Sequence, residues 1–220
     1  MYIIFVPAIT GAYLLGSIPF GLLFAKAHGK DLRSIGSVNI GATNVSRALG
    51  RKWAYLCFVL DVLKGMVPML ATLPLKTPLS FHSQPERIIL LWLWLAVGCA
   101  AILGHIFPIY VKFRGGKGVA TSFGVALGLW PYYTICVSFS VAIWVVVVLI
   151  WRYVSLASIG ASVTFPLVLL LAIILRPGWD FVNLWPLLIA ATAIPLMVIF
   201  RHSENIKRLF AGTESKILKP

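Results

Sequence analysis

The stretch YYTICVSFSVAIWVVVVLI, Tyr132 to Ile150, decides what class of protein this is. Its 19 residues carry no charge. Wound into a helix at about 1.5 Å per residue, they come close to the ~30 Å depth of a bilayer's hydrocarbon core. Outward from it, Tyr2–Ala25, Trp53–Leu73, Ile88–Val111, Ser155–Leu175 and Leu184–Phe200 read the same way. Hydrophobic residues make up 60% of the 220 and charged residues only 11%, with a mean hydropathy of +0.95. No compact soluble shape of this length buries so much apolar surface, so lipid is the solvent. The expectation is an all-α membrane protein: a polytopic helical bundle of about seven transmembrane helices, some short or broken, with residues 1–220 forming a single domain.

Lys117–Tyr133 is short and Gly-rich, and is either a half-span or the front of one long helix with the run after it. Charge parity separates the two. With two crossings between Val119 and Ile150, 15 of the 19 Lys/Arg fall on one side; with one, the tail Arg201–Pro220 and its five bases are exported. The positive-inside rule therefore favours an outside N-terminus and a cytoplasmic C-terminus. The N-terminal run has no basic n-region and no small-residue cleavage site, and reads as a retained span. Pro74, Pro78 and Pro85 mark an outer loop, and Pro177-Gly178 another. His82 in that outer loop reads as solvated. Cys57, Cys99 and Cys136 sit in apolar runs without CxxC or His spacing, and read as small buried side chains. The net charge of +13 punctuates the apolar runs instead of forming a polar tail, which argues against nucleic acid as a partner.

Three polar segments fall on the same side, and the topology alone needs none of them. The first is SIGSVNIGATNVSR, Ser34 to Arg47. Ser37, Asn39, Gly41, Thr43 and Asn44 offer hydroxyl, amide and backbone donors at close approach, and Arg47 supplies a planar cationic fork suited to phosphate. The same residues also read as a helix start, Thr43 or Asn44 capping a helix that runs to Leu49 with Gly50 beyond it; both readings can hold. The second segment is His105, then KFRGGKGVAT from Lys112 to Thr121. Gly115, Gly116, Lys117 and Gly118 open a short apolar helix, where unpaired amides, the dipole end and a lysine make an anion site. The spacing is not that of a Walker loop, so nucleotide hydrolysis is not implied. The third is RHSENIKRLFAGTE, Arg201 to Glu214, in which His202 and Asn205 share a helical face and Ile206, Leu209 and Phe210 form an apolar stripe suited to the interface. Within the spans, Asp61 and Lys64 at i,i+3 read as a structural salt bridge beneath the polar loop. His105 reads either as a core hydrogen-bonding group or as a ligand.

Taken in order between apolar spans, these segments resemble the bacterial membrane glycerol-3-phosphate acyltransferases that use acyl phosphate, over almost the whole chain. Asp61-Val62-Leu63-Lys64-Gly65 and Gly104-His105 are similar to family positions as well. The resemblance implies transfer of a fatty acyl group from acyl phosphate to the 1-hydroxyl of glycerol 3-phosphate, giving lysophosphatidic acid and phosphate. It implies catalytic roles for His202, Asn205, Ser37, Arg47 and Lys117. Substrate or phosphate binding is implied for Ser37, Asn39, Gly41, Thr43, Asn44, Arg47, His105, Gly115, Gly116, Lys117, Gly118, Ser155, His202, Asn205 and Glu214. No metal or cofactor is expected. Partners are the two substrates, membrane lipid and, transiently, the enzyme that makes the acyl phosphate; the protein is expected as a monomer in the bacterial inner membrane with its site on the cytoplasmic side. One departure stands out: the first motif usually reads Gly-Ser-Gly-Asn, and here Val38 replaces the second glycine. A β-branched residue resists φ > 0, so no backbone contact is carried over to that position.

The residue types suit the chemistry. Two anionic substrates must be held near lipid, and acyl phosphate is already activated, so positioning and charge neutralisation suffice. No Ser-His-Asp order or HxxxxD signature is found, which points to direct transfer without an acyl-enzyme. Either His202 or the substrate phosphate takes the hydroxyl proton. Two rivals stand beside this reading: a phosphate transporter, which would place a broken half-helix near the midplane between repeated halves, and a scaffold whose basic loops bind anionic lipid.

Overall fold

The computed structural model describes residues 2–72 and 83–217, and their regular elements are all helical. Six stretches are long and apolar enough to cross a membrane: Phe5–Ala27, Arg51–Ala71, Gln84–Val111, Tyr132–Trp151, Val154–Leu175 and Phe181–Phe200. A shorter apolar helix, Val119–Gly128, stands apart from the helix after it. The two are not one long helix. The first stretch, expected as a single run, is two helices, α1 (Phe5–Gly16) and α2 (Phe20–Ala27). Pro19 has no N–H to continue the ladder, so the chain turns over Ser17–Pro19. Ser17 satisfies the end of α1 by donating both its amide and its hydroxyl to Tyr13 O.

The remaining helices are α3 (Ala42–Leu49), α4 (Arg51–Ala71), α5 (Gln84–Ile106), α6 (Val119–Gly128), α7 (Tyr132–Trp151), α8 (Val154–Leu175), α9 (Phe181–Phe200) and α10 (Ser203–Phe210). Pro85, expected in a loop, lies in the first turn of α5, where no intrahelical N–H is needed. His82, Pro74, Pro78 and Lys76 lie outside the described residues. The chain divides into two compact units, one of residues 1–82 and 92–128, the other of 83–91 and 129–220.

Within the first unit, small residues let backbones approach. Lipid offers no hydrophobic drive between helices, so packing depends on close van der Waals fit. A Cβ on Gly65 of α4 would strike Thr121 O of α6, and one on Gly124 of α6 would strike Val62 O of α4. Gly16 and Gly104 give α1 and α5 the same closeness. Thr72 closes α4 by donating its hydroxyl to Pro68 O and Met69 O, and Trp94 Nε1 donates to Met69 O at 3.3 Å. A core of Ala25, Leu32, Ile40, Val45, Ala48 and Cys57 lies under the first polar segment.

In the second unit α7 packs on α8 and α8 on α9. The α7–α8 link is Arg152-Tyr153, with Arg152 left-handed at φ 63°. Tyr133 OH donates to Leu187 O at 2.6 Å, and the Tyr133 ring meets Phe165 edge-on at 5.1 Å. Outward-facing residues of these helices, among them Leu149, Leu167, Ile174 and Leu196, are themselves apolar, as lipid requires. The cysteines form no disulfide; Cys57 and Cys136 are buried and Cys99 half-buried.

The glycine packing makes a paired prediction. Gly124→Ala should destabilise by about 1–3 kcal/mol, since its Cβ meets backbone. Gly160→Ala in α8, whose nearest neighbour would lie at 3.8 Å, should stabilise by roughly 0.5–1 kcal/mol. Thermal unfolding of both in detergent checks it; equal shifts would contradict the close α4–α6 approach.

Candidate functional site

Asn44 builds the first segment. It is 1% exposed, and its Oδ1 accepts from Ser37 N at 3.0 Å while its Nδ2 donates to Leu32 O at 3.0 Å and Ile35 O at 2.9 Å. One buried side chain thus bonds the backbone at three points from 32 to 37, alongside the packing of Leu32 and Ile35 into the core. Neither Thr43 nor Asn44 caps α3, as the sequence suggested. Gly41 holds the N-cap position without a side-chain bond, because Asn44 lies inside the first turn with its amide spent on the loop. Gly50 does end the helix, at φ 91°. Asn39 Oδ1 accepts from Gly41 N at 2.9 Å and shapes the entry.

On α3 the inward positions are Asn44, Val45 and Ala48, and Thr43 and Arg47, one turn apart, share the outward face. Arg47 is exposed, and Lys30 Nζ donates to Ala48 O at 2.6 Å near the end of α3. Val38 takes φ 60° and is exposed. The expectation that valine keeps this position out of the left-handed region is therefore overturned. The turn is imposed from both sides: Val38 N donates to Ile35 O at 3.1 Å, Ser37 is held by Asn44 and Gly41 by Asn39.

A cross-link joins the first segment to the second. One terminal nitrogen of Arg33 donates to Arg114 O at 2.9 Å and joins the Ser34–Arg47 loop to the turn that carries Gly115–Gly118. The glycine amides are not the open donors expected from the sequence. Gly115 N donates to Ile106 O at 3.1 Å and Gly116 N to His105 O at 3.0 Å. The glycines are needed for space instead, since a Cβ on Gly115 would strike His105 O and one on Gly116 the His105 ring. Gly118, at φ 89°, turns the chain into α6, and the donors left without an intrahelical partner are those of the first turn from Val119. Lys117 is half-buried beside them. Consecutive left-handed residues, Lys112 and Phe113, precede the turn.

His105 does not share the exposed face of these loops. It is 6% exposed, its Nδ1 3.6 Å from Asp61 Oδ1. Asp61 pairs with Lys64 at 2.7 Å, the bridge read from the sequence, and Lys64 Nζ also donates to Ile18 O at 3.0 Å.

In the second unit Ser155 and Asn205 converge on Glu214. Ser155 Oγ and Asn205 Nδ2 donate to its Oε1 at 2.8 and 2.6 Å, and Arg208 Nε donates to Oε2 at 2.8 Å. Both carboxylate oxygens are engaged, so Glu214 organises Ser155 and Asn205. Burial opposes ionisation of Glu214, but these three donors and the Arg208 charge outweigh it and hold the carboxyl below the usual glutamate range. Ile217 N donates to Arg152 O and folds the tail over the start of α8. His202, 3% exposed, precedes α10; its Nδ1 lies 2.7 Å from Val198 O. That carbonyl can only accept, so Nδ1 carries a proton. Sequence reading missed the cross-link role of Arg33, and read Arg208 as an interface anchor instead of a partner of Glu214. Arg33 stands one residue outside its motif, and the six-residue spacing of Arg208 and Glu214 follows no helical rule.

The family described as glycerol-3-phosphate acyltransferase matches residues 6–212. Relatives of that name are similar over nearly the whole length. The one from Geotalea daltonii is 45% identical over 94% of each chain, and the one from Aquifex aeolicus is 44% identical over 93% of this chain and 95% of its own. Two crystal structures of PlsY, an integral membrane glycerol 3-phosphate acyltransferase, are similar in fold. The glycerol 3-phosphate form gives a TM-score of 0.80 at 41% identity, the lysophosphatidic acid form 0.77 at 40%, each covering 96% of this chain and 94% of its own.

Two outcomes follow from the geometry. Val38→Gly should be neutral or stabilising by up to about 1 kcal/mol, as relief of the left-handed valine offsets glycine's larger unfolded-state entropy; a melt lowered by the change would contradict the strained turn. Glu214, its carboxyl lowered in the folded state, adds stability above the usual glutamate range that is lost as pH falls through its folded value. Glu214→Gln should therefore lower the melting temperature at neutral pH and flatten its fall in acid, as read by melts from pH 7 down to about pH 3.

Proposed function

The chain belongs to the glycerol-3-phosphate acyltransferase family, and from that premise we propose that it moves a fatty acyl group from acyl phosphate to the 1-hydroxyl of glycerol 3-phosphate. The products are lysophosphatidic acid and inorganic phosphate. The observation that carries this reading is the cross-link from Arg33 to Arg114 O, which ties two phosphate-type loops into one unit, with Arg47 exposed beside them.

In this reading Arg47, Ser37 and Thr43 on one side of the cross-link and Lys117 with the first turn of α6 on the other hold phosphate groups. The hydroxyl oxygen of the acceptor attacks the acyl carbonyl carbon. A new C–O bond forms, the bond from that carbon to the phosphate oxygen breaks, and the electron pair leaves with phosphate. The cationic groups neutralise the leaving charge near a low-dielectric solvent, where each counts for more than in water. The hydroxyl proton passes to His202 or to the substrate's own phosphate; in the second unit Glu214 holds Asn205 and Ser155. Transfer is direct, with no acyl-enzyme. The distribution of Lys and Arg supports a cytoplasmic position for the motif loops, in the bacterial inner membrane.

Detergent-purified protein given acyl phosphate should release phosphate only when glycerol 3-phosphate is present, and yield lysophosphatidic acid. Arg47→Lys, which loses the planar fork, and Lys117→Ala should each lower kcat/KM by about 100-fold or more. Release without the acceptor would mean hydrolysis, and no release by folded protein would favour transport.

A further inference from the structure

The buried group that the reaction does not use is Asp61 with Lys64 and His105. We propose that Asp61 is a positioning residue for the Gly115–Lys117 turn, acting through the ring of His105.

Charges at membrane depth are costly and persist where something requires them. Lys64 has a local use: its ammonium donates to Ile18 O, at the break between α1 and α2, while its ion pair is with Asp61 on its own helix. Asp61 reaches further. Its Oδ1 lies 2.7 Å from Lys64 Nζ and 3.6 Å from His105 Nδ1, which belongs to the last turn of α5. The opposite edge of that ring, Nε2, occupies the place a Gly116 Cβ would take. The carbonyl of the same histidine accepts Gly116 N at 3.0 Å. The imidazole thus stands between a carboxylate on α4 and the backbone of the turn. At 3.6 Å the carboxylate acts on the ring through its charge, favouring a proton on Nδ1 and a ring turned with that nitrogen toward it. With the ring fixed, the floor under Gly116 is fixed, and Lys117 is the next residue along.

The inference rests on the reading in which this turn holds a substrate phosphate, so its test has an arm that does not depend on activity. Asp61→Asn strands a buried ammonium and can fail to fold, so Asp61→Asn/Lys64→Gln, which removes both charges, is made beside it. In each folded variant, amide exchange over residues 115–118 should accelerate. The KM for glycerol 3-phosphate should rise about tenfold with kcat held within about twofold, the signature of misplaced binding groups. His105→Ala should reproduce the KM rise, and adding it to the double variant should raise KM no further. Glu204→Gln, an exposed ion-pair partner of Lys207, should change none of these. A folded double variant with wild-type exchange at 115–118 overturns the proposal, as does a fall in kcat at unchanged KM. If the wild-type protein transfers no acyl group, the reading of function fails, and exchange alone decides the role of Asp61.

Discussion

Lipid sets the terms of this structure, and the buried Asp61–Lys64 pair is where they are met most severely. An ion pair inside an apolar span is tolerated only with its hydrogen bonds filled. Filling them recruits the neighbours: Lys64 takes the carbonyl at the α1–α2 break, and Asp61 faces the end of α5. One helix turn of α4 therefore fixes two places where the backbone departs from regular helix. The second of them, at the end of α5, leads into the turn that carries Gly115–Gly118. Removing one partner alone would strand a buried carboxylate or ammonium, at a cost of about 3–5 kcal/mol.

Above that base, polar side chains do the work that packing does elsewhere. Asn44 uses all three of its bonds on the loop before α3, Arg33 joins that loop to the glycine turn, and Glu214 gathers Ser155, Asn205 and Arg208. Each organiser is buried or filled, and the groups that reach outward, Thr43 and Arg47, are carried by them. This division suits electrostatic catalysis, in which groups that meet charge must be held before the charge arrives.

Much of the fold was legible because lipid enforces a simple rule, long uncharged runs that satisfy their own backbone. Tyr132–Ile150 and Ser155–Leu175 correspond to helices within a residue or two. The first span was legible in extent, and its break at Pro19 was not, since proline also occurs inside α4, α8 and α9. The three polar segments were legible as segments. What each residue does within them depends on partners far away in sequence. Asn44 could be read as a cap because capping is local, whereas its bond to Leu32 O spans twelve residues. The Gly115 and Gly116 amides looked open because nothing in the sequence announces that the end of α5 returns to take them. Val38 shows the limit from the other side: propensity argued against φ > 0, and bonds on both flanks imposed it.

The proposed reaction is direct transfer between two substrates held by charge, without a covalent acyl-protein. Exchange of label between free phosphate and acyl phosphate, measured with purified protein and no glycerol 3-phosphate, tests it most directly. An acyl-enzyme forms reversibly with release of phosphate, so it would carry label into the donor before any acceptor is added. Direct transfer predicts no exchange until glycerol 3-phosphate is supplied. Label entering acyl phosphate in its absence, at a rate comparable to turnover, would contradict the account.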